Sequence, residues 1–398
     1  MIRLLAAIGA ALSIFALLVA AAVLLLPPAP EGVVIFVLVI LMVIFFHELG
    51  HFATAKWFGI KVEEFFIGFG PRVWSFRRGE TEYGLKAIPA GGYVRIAGMN
   101  PYEEPAPEDL PRTFHAAKPW KRAVVLVAGS VTHFILAFLL LSVFFGAVGV
   151  PRARVDRVQL LVSGDRSPAS EAGIRAGDEI RAVDGRPVTW EEFLAITRGG
   201  AGRQMTVTVA REGTELDIPV TPRAAEVDGE RVGRLGIIVG EGSRLRLGPL
   251  AAVGRGAGQV GEISVGSVRA MGQIFSPSGV GRIVDQLFSD QPRQVDRDAA
   301  GVVGAARLSG QAVAAGAWEV LFFLFAGFNI FVGILNLLPL PPLDGGHLAV
   351  VAIEKITRRR VDVRKLMPLT AAVVAFLLLF FVSLLYLDVV RPIPDPFR

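Results

Sequence analysis

Five stretches of the chain are nearly unbroken hydrocarbon, and polar, glycine-rich text separates them. They run Leu4–Leu26, Val33–Thr54, Ala123–Gly149, Val320–Leu340 and Leu366–Leu387. About 20 predominantly apolar residues suffice for a helix to cross a bilayer, so the pattern predicts five spans. The first has Arg3 ahead of its apolar run, as a secretion signal would. That run is longer than the usual signal core and no clear small-x-small cleavage site follows it, so it reads as a span. Elsewhere the period changes. Residues 65–99, rich in Gly and β-formers, predict strands and turns. Residues 100–119 read as a polar, proline-rich loop. Further on, Met205, Val207 and Val209 alternate with Thr206 and Thr208, and after the turn signal Glu212-Gly213 the residues Leu216, Ile218 and Val220 alternate in a return strand. Ala251–Ile274 and Val302–Ala315 predict amphipathic helices on the outer membrane surface.

Composition agrees with a membrane protein. Hydrophobic residues make up 53% and charged residues only 19%, with a mean hydropathy of +0.53. Basic residues set the orientation, because Lys and Arg collect on the cytoplasmic side of spans. Lys56–Arg122 carries 11 of them and Lys355–Lys365 carries 6. With five spans the N-terminus is then cytoplasmic and the C-terminus and residues 150–317 lie outside. The net charge of +5 is explained by these flanks, which leaves nothing for a nucleic-acid partner. There is no Cys, so neither disulfides nor thiolate metal ligands are available.

One span carries chemistry. After the hydrocarbon run of residues 33–46 come His47-Glu48-Leu49-Gly50-His51. Ionisable groups at membrane depth are costly and mark functional sites. The H-E-x-x-H spacing puts two imidazoles on one helix face, where both reach one metal ion. Glu48, beside the first ligand, is placed to act as a base. With 5 His in 398 residues, chance would give this pattern roughly three times in a thousand chains. A catalytic zinc usually has three protein ligands and one open position. The best third ligand is Asp344, in the text Asn336-Leu-Leu-Pro339-Leu-Pro341-Pro342-Leu-Asp344-Gly345-Gly346-His347. Three prolines and two glycines must break a helix there, and broken backbone at membrane depth survives only in protein or beside a wet cavity. The alternative is a helix that simply ends at Pro339, leaving Asp344 in a cytoplasmic turn.

These motifs, together with Gly68–Met99 (GFGPRVWSFRRGETEYGLKAIPAGGYVRIAGM), resemble the site-2 protease family of zinc intramembrane metalloproteases. The resemblance covers most of residues 33–390. It implies zinc (Zn2+) held by His47, His51 and Asp344, water activated by Glu48, and substrate held by Asn336 and the turn with Pro339 and Pro341. It implies a hairpin dipping into the membrane beside the zinc, where an extended substrate adds as a strand. The implied substrate is a single-span membrane protein, such as an anti-sigma factor or a signal-peptide remnant, cut in regulated intramembrane proteolysis in the bacterial inner membrane. Two departures stand out. Family members often read A-G-P-x-x-N where this chain has Ala128-Gly129-Ser130-Val131-Thr132-His133, and the span Leu4–Leu26 is an addition to the common four. His133 reads either as a group supporting a metal ligand or contacting substrate, or as a histidine packed between helices. His347 reads either as support for the metal site or as a surface residue.

Residues Ser167–Ile180 resemble a PDZ domain of the kind fused to bacterial proteases. Such a domain binds an extended segment or a new C-terminus by strand addition, and the family suggests that it screens substrates. The predicted fold class is thus a polytopic α-helical membrane protein with a membrane-associated β-hairpin region and one extracytoplasmic PDZ-like α+β domain. Its expected parts are residues 1–32 (extra span), 33–150 (first part of the membrane core), 151–224 (PDZ-like), 225–317 (linker with amphipathic helices) and 318–398 (second part of the core). Two rival readings stay open. One is a membrane-anchored metalloprotease with a soluble-facing cleft and a downstream Glu as third ligand. The other is an inactive PDZ scaffold with a structural zinc.

Overall fold

A computed structural model describes residue 17 and residues 28–100, 105–158, 166–227, 230–289, 292–294 and 298–397. In chain order the elements are α1 (Pro28–Trp57), β1 (Val62–Arg78), β2 (Thr81–Ile96), α2 (Pro119–Ala147), β3 (Val150–Val158), α3 (Pro168–Ala172), β4 (Glu179–Val183), β5 (Arg186–Pro187), α4 (Trp190–Gly199), β6 (Met205–Arg211), β7 (Thr214–Val220), β8 (Arg223–Val227), β9 (Glu230–Arg234), β10 (Ile237–Leu245), α5 (Pro249–Ile274), α6 (Pro277–Phe288), α7 (Val302–Ala314), α8 (Trp318–Asn336), α9 (Asp344–Thr357) and α10 (Met367–Val390). The chain divides into two units, residues 1–141 with 257–398, and residues 142–256.

In the first unit, four described helices are long and apolar enough to cross a membrane: α1, α2, α8 and the helix containing α10. The fifth expected span, Leu4–Leu26, lies outside the described residues except for Leu17. Hydrocarbon offers no partner to a backbone amide, so these runs form helices that bond internally. One face of α1, with Ile35, Phe36, Val39 and Val43, packs on Ala312 and Val313 of α7 and on Leu321 and Phe325 of α8. At the other end, Gly59 takes a φ of +75°, which turns the chain so that Ile60 N–H bonds back to the Ala55 carbonyl at 2.9 Å. This closes α1 below the two histidines.

The long strands β1 and β2 do more than form one hairpin. Residues 64–67 of β1 lie beside both residues 92–95 and residues 82–85 of β2, while residues 72–78 pair with 81–86. The first half of β1 is therefore an inner segment, and residues 92–96 pass against α1. The expected span Val320–Leu340 is shorter than its hydropathy suggests. Helix α8 stops at Asn336, because Pro339 has no N–H and its ring would meet the carbonyl of Leu335. The helix resumes at Asp344 as α9. Glycines 345 and 346 permit this return. A Cβ on Gly345 would collide with the Leu337 and Leu338 backbone, and one on Gly346 would stand 2.5 Å from Pro341 N. Further along α9, the buried Glu354 carboxylate meets Arg122 of α2 at 2.7 Å, tying this helix to α2.

The second unit is built on a sheet of order β10-β3-β4-β6-β7, with β5 paired to β4. Its core includes Val155, Ile180, Phe193, Met205, Val207 and Val209. The alternation in β6 is as expected, with Met205, Val207 and Val209 inward. In β7, Ile218 and Val220 are buried but Leu216 is 37% exposed, at the outer edge of the sheet. The sheet continues past residue 224, since β10 pairs antiparallel with β3 from Ile237↔Val158 to Leu245↔Val150. Helix α4 is started by a capping box, in which Thr189 Oγ1 accepts from Glu192 N–H and Glu192 returns the bond to Thr189 N–H.

Candidate metal centre

The two imidazoles of α1 and the carboxylate that opens α9 converge. His47 Nε2 and His51 Nε2 are 3.2 Å apart. Asp344 Oδ2 lies 3.4 Å from the first and 3.3 Å from the second. Among the described residues these three form the group of His and acid side chains whose donor atoms cluster in the way a metal ion requires. A tetrahedral zinc with bonds of about 2.0–2.1 Å sets its nitrogen and oxygen donors about 3.3–3.4 Å apart. The observed triangle has that size.

The hydrogen bonding of the donors supports the same reading. Asp344 Oδ2 is buried and has no hydrogen-bond partner. His51 Nδ1 donates to the Val125 carbonyl at 2.8 Å, so in the neutral ring the lone pair is on Nε2, the atom that faces Asp344. Acceptor lone pairs pointed at one another repel, and a cation between them removes the conflict. His₂Asp is also a hard-to-borderline donor set of the kind zinc takes in catalytic sites. The residues therefore fit zinc.

Helix α2 shapes this centre through its backbone. Gly129 lies against both rings: a Cβ there would collide with His51 Nε2 and stand 2.7 Å from His47 Cε1. Gly50 is the counterpart on α1, where a Cβ would lie 2.6 Å from the Ala128 carbonyl oxygen. The two helices cross almost backbone to backbone, and the imidazoles occupy the space that the missing side chains leave.

The other residues singled out from the sequence fall at different distances from this centre. Glu48 is half-buried and lies between the two imidazoles in sequence. Opposite it runs the strand segment that begins at Gly92, where a Cβ would sit 3.1 Å from Glu48 Cγ. His133 is fully buried on α2, with its Nε2 3.1 Å from His47 Nδ1. It thus touches the His47 ring on the side away from Asp344. His347 is one turn beyond Asp344 on α9, and among the described residues it makes no hydrogen bond to the three ligands. Asn336 is the last residue of α8 and is half-buried, while Pro339 is exposed and Pro341 half-buried in the loop before Asp344. Two residues escaped the sequence reading. Gly129 carries no chemical signal of its own. Asn329 does: it is an amide inside the apolar helix α8, and such intramembrane polar groups usually have a task. It lies 3.3 Å from His133.

Comparison with known proteins completes the picture. The model of peptidase family M50 matches residues 35–380. The chain is 32% identical over 391 residues to the zinc metalloprotease Rip1 of Mycobacterium tuberculosis, spanning 87% of this chain and 94% of the relative. Rip1 of Mycolicibacterium smegmatis is 32% identical over 387 residues with the same coverage, 87% and 94%. The family match takes in every element that supplies a donor to the metal centre, and so this chain belongs to peptidase family M50, the site-2 proteases, and is a zinc metalloprotease.

Proposed function

We propose that the chain is an intramembrane endopeptidase that cleaves single-span membrane proteins, with Glu48 as its general base and acid. The observation that carries this reading is the placement of Glu48. It stands on the apolar helix α1 between two metal-binding histidines, with the backbone of Gly92 facing its side chain. Zinc bound to His47, His51 and Asp344 would supply a Lewis acid that makes water acidic near neutral pH and polarises a carbonyl. Glu48 takes the proton of the attacking water and passes it to the amide nitrogen as the C–N bond breaks. A helical substrate shields its peptide bonds with its own hydrogen bonds and must first unwind. The strand segment 92–96 offers a template on which an unwound segment adds in extended form. Asn336, beside the break that follows α8, presents an amide to the substrate backbone, and Pro339 and Pro341 fix the loop around it.

The basic flanks support a multi-pass arrangement in a bacterial inner membrane, with Lys56–Arg122 and Lys355–Lys365 cytoplasmic and the segment between α2 and α8 outside. The sheet unit then acts as a PDZ-like module that engages an extended segment or new C-terminus of the substrate. Anti-sigma factors and signal-peptide remnants are the substrate classes in keeping with this reading. The test is the Glu48→Gln variant in nanodiscs with a model single-span substrate. It keeps zinc at the wild-type level, and cleavage falls by at least about 10²–10⁴-fold. Wild-type cleavage by Glu48→Gln would remove Glu48 from the mechanism.

A further inference from the structure

The two histidine ligands are supported from behind in different ways. His51 Nδ1 donates directly to a backbone carbonyl, that of Val125. His47 Nδ1 meets His133 Nε2 of α2 at 3.1 Å, and the His47 ring also contacts the Gly129 backbone. His133 Nδ1 in turn meets Asn329 Oδ1 of α8 at 3.3 Å, and Asn329 Nδ2 donates to the Phe325 carbonyl at 2.9 Å. His133 and Asn329 are 1% and 3% exposed, so no water competes for these bonds. Gly333 brings α8 close enough for them, because its Cβ position would lie 3.0 Å from His133 Cβ.

The direction of every bond in this series follows from its far end. The Phe325 carbonyl can only accept, so it fixes the Asn329 amide with its NH₂ toward itself. Asn329 Oδ1 is then left facing His133, and it too can only accept. His133 Nδ1 must therefore carry the ring hydrogen, which leaves the lone pair of the neutral ring on Nε2. That lone pair accepts from His47 Nδ1–H. The remaining lone pair of His47 is then on Nε2, the atom that faces His51 and Asp344. The Phe325 carbonyl of α8 is thereby linked to the tautomer of a ring on α1, beside the contact that ring makes with the Gly129 backbone.

We infer that His133 and Asn329 are positioning residues that hold His47 in the zinc-binding tautomer and orientation. The inference rests on the metal-site reading above and adds to it a dependence on α8. Partners that fix a ligating histidine from behind typically account for about 10–100-fold in metal affinity.

The test uses the full chain in nanodiscs, with zinc affinity measured by chelator competition and ligand geometry by the visible absorption of the Co2+ form. His133→Leu and Asn329→Leu should each weaken zinc by about 10–100-fold and shift the Co2+ spectrum. His133→Gln should stay within about threefold of wild type, because its amide oxygen replaces the Nε2 acceptor. The double Leu variant should be no weaker than His133→Leu alone, since Asn329 acts through His133. Equal losses in His133→Gln and His133→Leu would reduce the effect to packing and overturn the inference. So would wild-type affinity with an unshifted spectrum in Asn329→Leu, or losses that multiply in the double variant. Should His133→Leu fail to fold, Asn329→Leu with wild-type helicity decides the matter. A wild-type chain that binds no zinc would sink the metal site and this inference together, whereas wild-type binding with indifferent variants sinks only the inference.

Discussion

Asp178 in the sheet unit and Asp344 in the helical unit are both carboxylates drawn out of water, and they end differently. Asp178 is fully buried, and both its oxygens are occupied. Arg211 reaches Oδ1 through Nε and Oδ2 through Nη2, each at 2.7 Å, and the Arg175 amide donates to Oδ2 at 2.8 Å. Asp344 keeps one buried oxygen without any hydrogen-bond donor, aimed at two imidazole nitrogens. Burial without compensation costs several kcal/mol for such a group. A satisfied buried acid holds a fold together, whereas one left open beside other open donors is a socket. The contrast marks Asp344, rather than Asp178, as the carboxylate placed to meet a cation.

Glycines repeat the comparison and offer a way to break it. Gly173, which ends α3, and Gly177 have φ of +84° and +91° with nothing near their absent Cβ. They are needed for backbone shape alone. Gly129 has its Cβ position filled by the rings of His47 and His51. Gly129→Ala should lower zinc affinity by at least about 100-fold, more than losing a partner behind one ligand, because both rings are displaced. Its helix is not weakened, since Ala favours helix over Gly. Gly173→Ala should instead cost about 1 kcal/mol of stability in the sheet unit and leave zinc binding unchanged. Chelator competition and thermal unfolding on the two variants check the pair. Zinc loss in both, or in neither, would erase the distinction.

A smaller effect sharpens the picture at the hairpin turn. Arg112 bonds Glu80 at 2.8 and 2.9 Å, and Lys56 bonds it at 2.6 Å. The Arg112 hydrogen bonds, aided by Lys56 and opposed by partial burial, hold the Glu80 carboxyl down at about 2, against its ordinary 4.5. A depressed carboxylate stabilises the fold above its unfolded value, and that contribution is lost as pH falls from 4.5 through 2. At pH 7, Glu80→Gln should cost at most about 1 kcal/mol, as for a partly exposed pair. The difference from wild type should fade below pH 4.5 in urea unfolding followed across pH. A penalty that grew on acidification would contradict the assignment.

Much of the site could be read from the chain because its chemistry is local. His47, Glu48 and His51 share one helical turn, and Asp344 is betrayed by three prolines in an apolar run. The alternation at Met205–Val209 and the apolar spans are likewise local patterns. What escaped reading depends on elements far apart in the chain. His133 and Asn329 are separated by 196 positions, and neither shows in the sequence that it faces the other. Gly129 matters for what presses on it, which composition does not record. The doubled pairing of residues 64–67 and the resumption of helix at Asp344 come from tertiary packing around a break. Hydropathy alone carries that span on to Leu340, whereas the helix ends at Asn336.

The claim at the centre is that Asp344 completes a zinc site with His47 and His51. The direct measurement is zinc content after equilibration with a moderate chelator, in wild type, Asp344→Asn and Asp178→Asn, all purified into nanodiscs. The account predicts about one zinc per chain in wild type and in Asp178→Asn, and a near-complete loss in Asp344→Asn. Full zinc retention by Asp344→Asn, or its absence from the wild type, would contradict it.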